Sequence, residues 1–117
     1  MDHEFSIQSR KNGDIVVLDL RGSLTVGANE QNFKETVSEL LSRNQNKMVV
    51  NLSRIEFLDS SGIGALIKSY TTLTQRGGKL KLLQPNKLIR KTLSITGLTG
   101  VFEIFEEEAA AIASFNA

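Results

Sequence analysis

Two hydrophobic periods take turns along this 117-residue chain, and their alternation limits its fold more than any single motif. The first run is strand-like: Phe5, Ile7 and Ser9 alternate ahead of Asn12-Gly13, a dipeptide that readily supplies the positive φ angles of a two-residue hairpin turn. A return strand is predicted over 14–21, with Val16, Leu18 and Leu20 on one face and Ile15, Val17, Asp19 and Arg21 on the other. The period then changes. Over 28–43, Phe33, Val37, Leu40 and Leu41 recur at i, i+4, i+7 and i+8, the apolar stripe of a helix. The polar turn 44–47 leads into Met48-Val49-Val50-Asn51-Leu52, a run of buried, central-strand type.

A second helix is predicted over 61–76, carrying Ile63, Leu66, Ile67, Tyr70 and Leu73 at helical spacing and stopped by Gly77-Gly78. Lys79-Leu80-Lys81-Leu82 alternates as a strand. Pro85 ends it, and Asn86 caps a third helix that reaches Thr96 and stops at Gly97. The segment 101–105 reads as a last short strand, followed by a terminal helix with Glu106, Glu107 and Glu108 in its first turn and its end near Phe115.

Strands alternating with helices pair in parallel through right-handed crossovers. The predicted fold class is therefore α/β: a mixed, mostly parallel open sheet of about five strands begun by a β-hairpin, with about four helices mainly on one face. Lys79 and Lys81 alternate with Leu80 and Leu82, which predicts a solvated face on part of the sheet. With 40% apolar and 23% charged residues the chain has the composition of a folded domain, and its length suits one, spanning 1–117.

Fourteen basic and 13 acidic residues leave a net charge of +1, so no bulk field draws the chain to nucleic acid or an anionic membrane. The absence of cysteine removes disulfides, thiol nucleophiles and thiolate metal sites, in keeping with a reducing compartment. Residues 1–10 mix charges with isolated apolar side chains, unlike a signal peptide, and no segment reaches transmembrane length. A cytoplasmic protein without membrane insertion, metal or cofactor is expected, and a monomer. His3, the single histidine, reads as a solvated terminal residue.

The chemically informative stretch joins the central strand to the second helix: Phe57-Leu58-Asp59-Ser60-Ser61-Gly62-Ile63-Gly64. Asp and Ser are strong N-cap residues, and the first turn of a helix offers unpaired amides and a positive dipole end that accommodate an added phosphate. Gly62 and Gly64 each cost roughly 1 kcal/mol of helix propensity relative to alanine, which points to a close approach by another backbone or a ligand. Read without any relative, the segment is equally a capped helix with small packing residues.

Taken whole, Val50-Asn51-Leu52-Ser53 through Phe57-Leu58-Asp59-Ser60-Ser61-Gly62-Ile63-Gly64 resembles the anti-sigma factor antagonists, the bacterial branch of STAS domains. Gly22-Ser23-Leu24, Gly77-Gly78 and Leu93-Ser94-Ile95-Thr96-Gly97-Leu98 extend the resemblance along the chain. It implies that Ser60 is phosphorylated by a partner that is both anti-sigma factor and serine kinase. It also implies that the unphosphorylated form binds that partner and frees a sigma factor, and that a metal-dependent phosphatase of the PP2C type resets the switch. The chain is then a substrate and not an enzyme. Asp59, Ser60, Ser61, Gly62, Ile63 and Gly64, with Ser23, Thr25 and Gly27 after the second strand, form the expected partner-binding surface, and Asn29 helps keep that loop on it. Ser23 and Thr25 depart from the family pattern, since well-behaved kinase substrates often carry acidic residues around this loop.

Competing chemistries lack their residues. A Ser60 nucleophile would have neither a neighbouring histidine nor a Ser-x-x-Lys lysine, because Ile63 stands at that position. A receiver domain phosphorylated on Asp59 would need an acidic pair ending an early strand to hold magnesium. The basic residues Arg76, Lys79, Lys81, Lys87, Arg90 and Lys91 disperse over separate faces rather than forming a nucleic-acid patch. The remaining alternative is a STAS adaptor without phosphoswitching, docking through the same helix face in a lipid-transport or signalling assembly.

Overall fold

The computed structural model describes residues 5–116, which leaves His3 outside. Strand β1 (Ser6–Asn12) turns into β2 (Ile15–Leu24), and the two pair antiparallel from Ser6↔Arg21 to Asn12↔Ile15. The two-residue turn is therefore Gly13-Asp14 with only Gly13 at positive φ (+67°), one residue beyond the expected Asn12-Gly13 because Asn12 still pairs in the ladder. Helix α1 (Ala28–Ser42), β3 (Lys47–Leu58), α2 (Ser60–Gln75), β4 (Lys79–Leu83) and α3 (Lys87–Ile95) then alternate. The chain finishes with β5 (Ile104–Phe105) and α4 (Glu108–Ala113). The five strands lie in sequence order, and every pairing after the hairpin is parallel. This is the expected α/β sheet, in strand number, direction and helix number.

The two faces of the sheet are built differently. Val16, Leu18 and Leu20 of β2, Met48, Val50 and Leu52 of β3 and Leu80 and Leu82 of β4 share one buried face with Phe33 and Val37 of α1, Leu66 and Leu73 of α2, and Ile89 and Leu93 of α3. Full burial of each large side chain contributes roughly 1.5–3 kcal/mol over leaving it in water. The opposite face holds a smaller cluster of Ile15, Val17, Val49 and Leu83 beneath Ala111, Ile112 and Phe115 at the end of the chain. Arg10 fastens that closing segment, donating from Nε to Asp19 (2.6 Å) and from its terminal nitrogens to Glu108 (2.7 and 2.8 Å).

Part of the sheet does have a solvated face, with Lys79, Arg21 and Arg54 exposed, but Lys81, expected on it, is buried. Its side chain lies beneath α4, only 3% exposed, with Nζ 2.7 Å from Ser114 Oγ, 2.9 Å from Glu103 and 4.6 Å from the centre of the Phe115 ring. The alternation was real, but the chain end folds back over it. The expected strand over 101–105 shrinks to Ile104–Phe105. Ahead of it the amides of Val101 and Phe102 both bond to the Leu98 carbonyl in a helical turn, and the Phe102 ring packs edge-on to Tyr70 at 5.4 Å. Of the three expected first-turn glutamates only Glu108 lies in α4; Glu107 precedes it as cap, and Glu106 pairs with Arg90.

β3 runs six residues beyond the apolar segment that announced it, to Leu58, because two register irregularities against β2 absorb its polar residues. That extension carries the chain to the edge where α2 begins. Lys81→Ala should lower stability to urea by about 2 kcal/mol, through lost packing of the aliphatic stem and the lost bond to the Ser114 hydroxyl, which keeps its own bond to the Ala111 carbonyl. Glu103→Gln, which alters the well-exposed partner, should cost less than about 1 kcal/mol. Equal losses would contradict the packing role of Lys81.

Candidate functional site

The functional segment sits where β2 and β3 end side by side. Ser23 and Leu24 are the register partners of Phe57 and Leu58, so the loop into α1 and the loop into α2 leave the sheet together. Asp59 is the N-cap of α2, in extended backbone conformation, and α2 begins at Ser60, one residue earlier than its apolar period shows. One carboxylate oxygen of Asp59 accepts the Gly62 amide at 2.8 Å; the other accepts the Val26 amide, also at 2.8 Å, from the neighbouring loop. The Val26 amide holds the Asp59 carboxyl below the usual carboxylate range, outweighing the opposing effect of burial, with smaller contributions from the Gly62 and Ser61 amides.

Gly62 makes the second contact between the loops. A β-carbon placed there would lie 2.1 Å from the Leu24 carbonyl oxygen, so only glycine lets the first turn of α2 rest on the end of β2. Gly64 differs, since a β-carbon there meets nothing within 4 Å and the residue is exposed. The close approach that both glycines announced is therefore internal at Gly62 and absent at Gly64.

Ser60 is exposed and its hydroxyl has no hydrogen-bond partner among the described residues; Ser61 and Ile63 are half-buried, with Ile63 leaning on the main core. In the facing loop the Ser23 carbonyl accepts from Asn29 Nδ2 at 2.9 Å and the Thr25 carbonyl from the Glu30 amide at 3.1 Å, while exposed Gly27 caps α1 with φ +102°. Ser23, Thr25, Gly27 and the segment Asp59–Gly64 thus lie on two loops that leave the sheet side by side. Two neighbours were missed. Val26, whose amide bonds Asp59, is 69% exposed and Phe57, two residues before Asp59, 48%, and both had a signal as apolar residues outside any helical or strand stripe.

The free donors at the helix start are fewer than the sequence suggests, because the Asp59 carboxylate already occupies the Gly62 amide. A group added to the Ser60 oxygen meets a carboxylate one residue away and few unpaired amides. No group of histidine, cysteine, aspartate and glutamate side chains among the described residues is arranged to hold a metal ion, and no described helix is long and apolar enough to cross a membrane.

Residues 6–111 match the family model of the STAS domain. The chain belongs to the STAS domain family. Its relatives include a Thermotoga neapolitana protein provisionally named an anti-sigma factor antagonist, 30% identical over 85% of this chain and 88% of that one. The anti-sigma F factor antagonist of Paenibacillus polymyxa is 24% identical over 91% of each chain. Among solved structures, the anti-sigma factor antagonist SpoIIAA in its unphosphorylated form is similar with a TM-score of 0.79 at 27% identity, over 95% of this chain and 96% of that one. The Bacillus SpoIIAA structure in the phosphorylated form gives 0.75 at 25% identity, over 94% and 99%. This STAS domain and the relatives it matches cover most of one another's length.

Two outcomes follow for this STAS domain. Gly62→Ala should destabilise the fold by about 2 kcal/mol or more, since backbone must move to admit the methyl group, whereas Gly64→Ala should be neutral or stabilise by up to about 1 kcal/mol; chemical denaturation of both variants distinguishes them, and equal effects would contradict the contact with Leu24. Asp59 titrates lower folded than unfolded, so its contribution is complete above about pH 4 and disappears as pH falls through the lower folded value. Asp59→Asn cannot accept both amides and should melt roughly 3–6 °C lower at pH 7, with the gap closing below about pH 3. A gap unchanged down to pH 2 would overturn this role.

Proposed function

We propose that this chain is an anti-sigma factor antagonist of the cytoplasm, a single STAS domain whose Ser60 hydroxyl is a reversible switch. In the unphosphorylated state the surface made by Asp59–Gly64 and the loop Ser23–Gly27 binds an anti-sigma factor that is also a serine kinase, and a sigma factor is released. Phosphorylation of Ser60 ends that binding, and a PP2C-type phosphatase restores it. The chain serves as substrate in both steps. The names of its relatives and the study of SpoIIAA in two phosphorylation states support the reading.

The observation that carries it is the placement of Ser60: exposed, first in its helix, unpartnered, and next to a carboxylate that has taken the Gly62 amide of the same turn. A phosphate adds about 1.5 to 2 negative charges near neutral pH. The helix start returns only roughly 0.3–1 kcal/mol for them, and Asp59 opposes that gain. The added charge therefore projects from the docking surface rather than folding into the molecule. A hundredfold loss of affinity requires about 2.8 kcal/mol, within reach of a desolvated and poorly paired phosphate at a contact. Val26 and Phe57 supply the apolar part of the surface, and burying them gives the partner a reason to dock before the switch acts.

Incubation with ATP and candidate kinases encoded by the same organism, followed by tandem mass spectrometry, tests the switch. Label should fall on Ser60 and vanish in Ser60→Ala, which keeps partner binding, while Ser60→Asp should bind about a hundredfold more weakly. Phosphate on another residue, or wild-type affinity in Ser60→Asp, would overturn the proposal.

A further inference from the structure

On the face of the sheet away from α1, α2 and α3, a hollow of about 450 Å³ opens among β1, β2 and β3 beyond the reach of α4. It is lined mainly by polar side chains, and two of them are arginines. Arg21 of β2 and Arg54 of β3 are register partners, held opposite one another on adjacent strands. Neither has an ion pair or side-chain hydrogen bond among the described residues. Like charges directly opposite in a sheet repel. Asp19 lines the same hollow and feels the Arg54 charge, which helps hold its carboxyl below the usual range, but its hydrogen bonds go to other groups: one oxygen accepts from Arg10 Nε at 2.6 Å, and the other from Asn51 at 2.8 Å and Arg10 at 3.2 Å.

The backbone is bent to produce this pairing. From Asp19↔Asn51 to Arg21↔Arg54, β2 advances two residues and β3 three, so β3 carries a bulge. Strict alternation from Asn51 would send Ser53 outward and Arg54 toward the main core. The bulge resets the parity, returning Ile55 to the core and leaving both Ser53 and Arg54 on the hollow. Asn51 supports the distortion with both ends of its amide: its oxygen accepts the Ser53 backbone N–H at 3.1 Å while its nitrogen donates to Asp19.

We propose that this hollow is an anion site that takes a small phosphorylated molecule, with phosphoryl oxygens bridging the Arg21 and Arg54 guanidinium groups and the Ser53 hydroxyl as a neutral donor. Planar guanidinium forks match phosphoryl oxygens two at a time, and a bridging dianion converts the repulsion between the arginines into two attractions. The site lies across the sheet from α2 and does not depend on the role of Ser60.

Titration of the full chain with inorganic pyrophosphate at constant ionic strength, followed by amide NMR, tests the site. Saturable shifts are expected at residues 19–21 and 51–54, with affinity at least about tenfold weaker in the double variant Arg21→Gln/Arg54→Gln and unchanged in Lys34→Gln/Lys68→Gln on the opposite face. If the double variant does not fold, Arg54→Lys serves in its place: it keeps the charge, loses the fork and should also weaken binding. Shifts that do not saturate, that centre on Lys34 and Lys68, or that persist unchanged in the arginine variants would overturn the proposal.

Discussion

The carboxylate of Asp59 accepts one amide from its own helix and one from a loop 33 residues earlier, each at 2.8 Å, and through those two bonds it sets the geometry of the whole functional edge. A cap that served only α2 would leave the loop after β2 free to choose its position. Here the Val26 amide is drawn to the same group that starts the helix, and the Leu24 carbonyl lies where any side chain at position 62 would have to go. The two loops form one surface because a small acceptor and an absent β-carbon permit it. Charge neutralisation of Asp59 would weaken the junction at its centre, and an added anion at Ser60 meets a helix start where the Gly62 amide is already taken.

The sheet carries this edge asymmetrically. Its main core, under α1, α2 and α3, holds large apolar side chains from every long element and fixes where β2 and β3 end. Its other face is covered only in part, by a short closing helix held through Arg10 and through the buried Lys81. Asp19 and Glu108 are both acidic groups held below their usual range, Glu108 chiefly by Arg10, and Asp19 by Arg10 and Asn51 despite the larger opposing effect of burial. Acid that neutralises them loosens the closing segment as well as the Asp59 junction, so the two faces lose stability over the same pH interval, below about 4.

Much of this was legible in the sequence wherever the cause was local. Asn12-Gly13 marked the hairpin, Asn86 the cap of α3 and Gly77-Gly78 the end of α2, and hydrophobic period separated strands from helices well enough to give strand number and fold class. The misses share a nonlocal cause. Lys81 read as solvated because the residues that bury it, Ser114 and Phe115, arrive 33 and 34 positions later. Phe102 read as strand because nothing nearby in sequence announces Tyr70 as its partner. At the site, Ser60, Asp59 and the loop residues were identifiable by type and order, whereas the Gly62 contact with Leu24, the exposure of Val26 and Phe57, and the bulge that turns Arg54 outward depend on two strands ending in register.

The central claim is that a phosphate on Ser60 acts at the docking surface and leaves the fold as it is. Comparing amide chemical shifts of the unphosphorylated and Ser60-phosphorylated full chain tests it most directly. Changes confined to residues 24–27 and 57–64 are the predicted result. Changes extending into the flanking strands β1 and β4, or into α4 on the opposite face of the sheet, would contradict it and require an internal rearrangement instead.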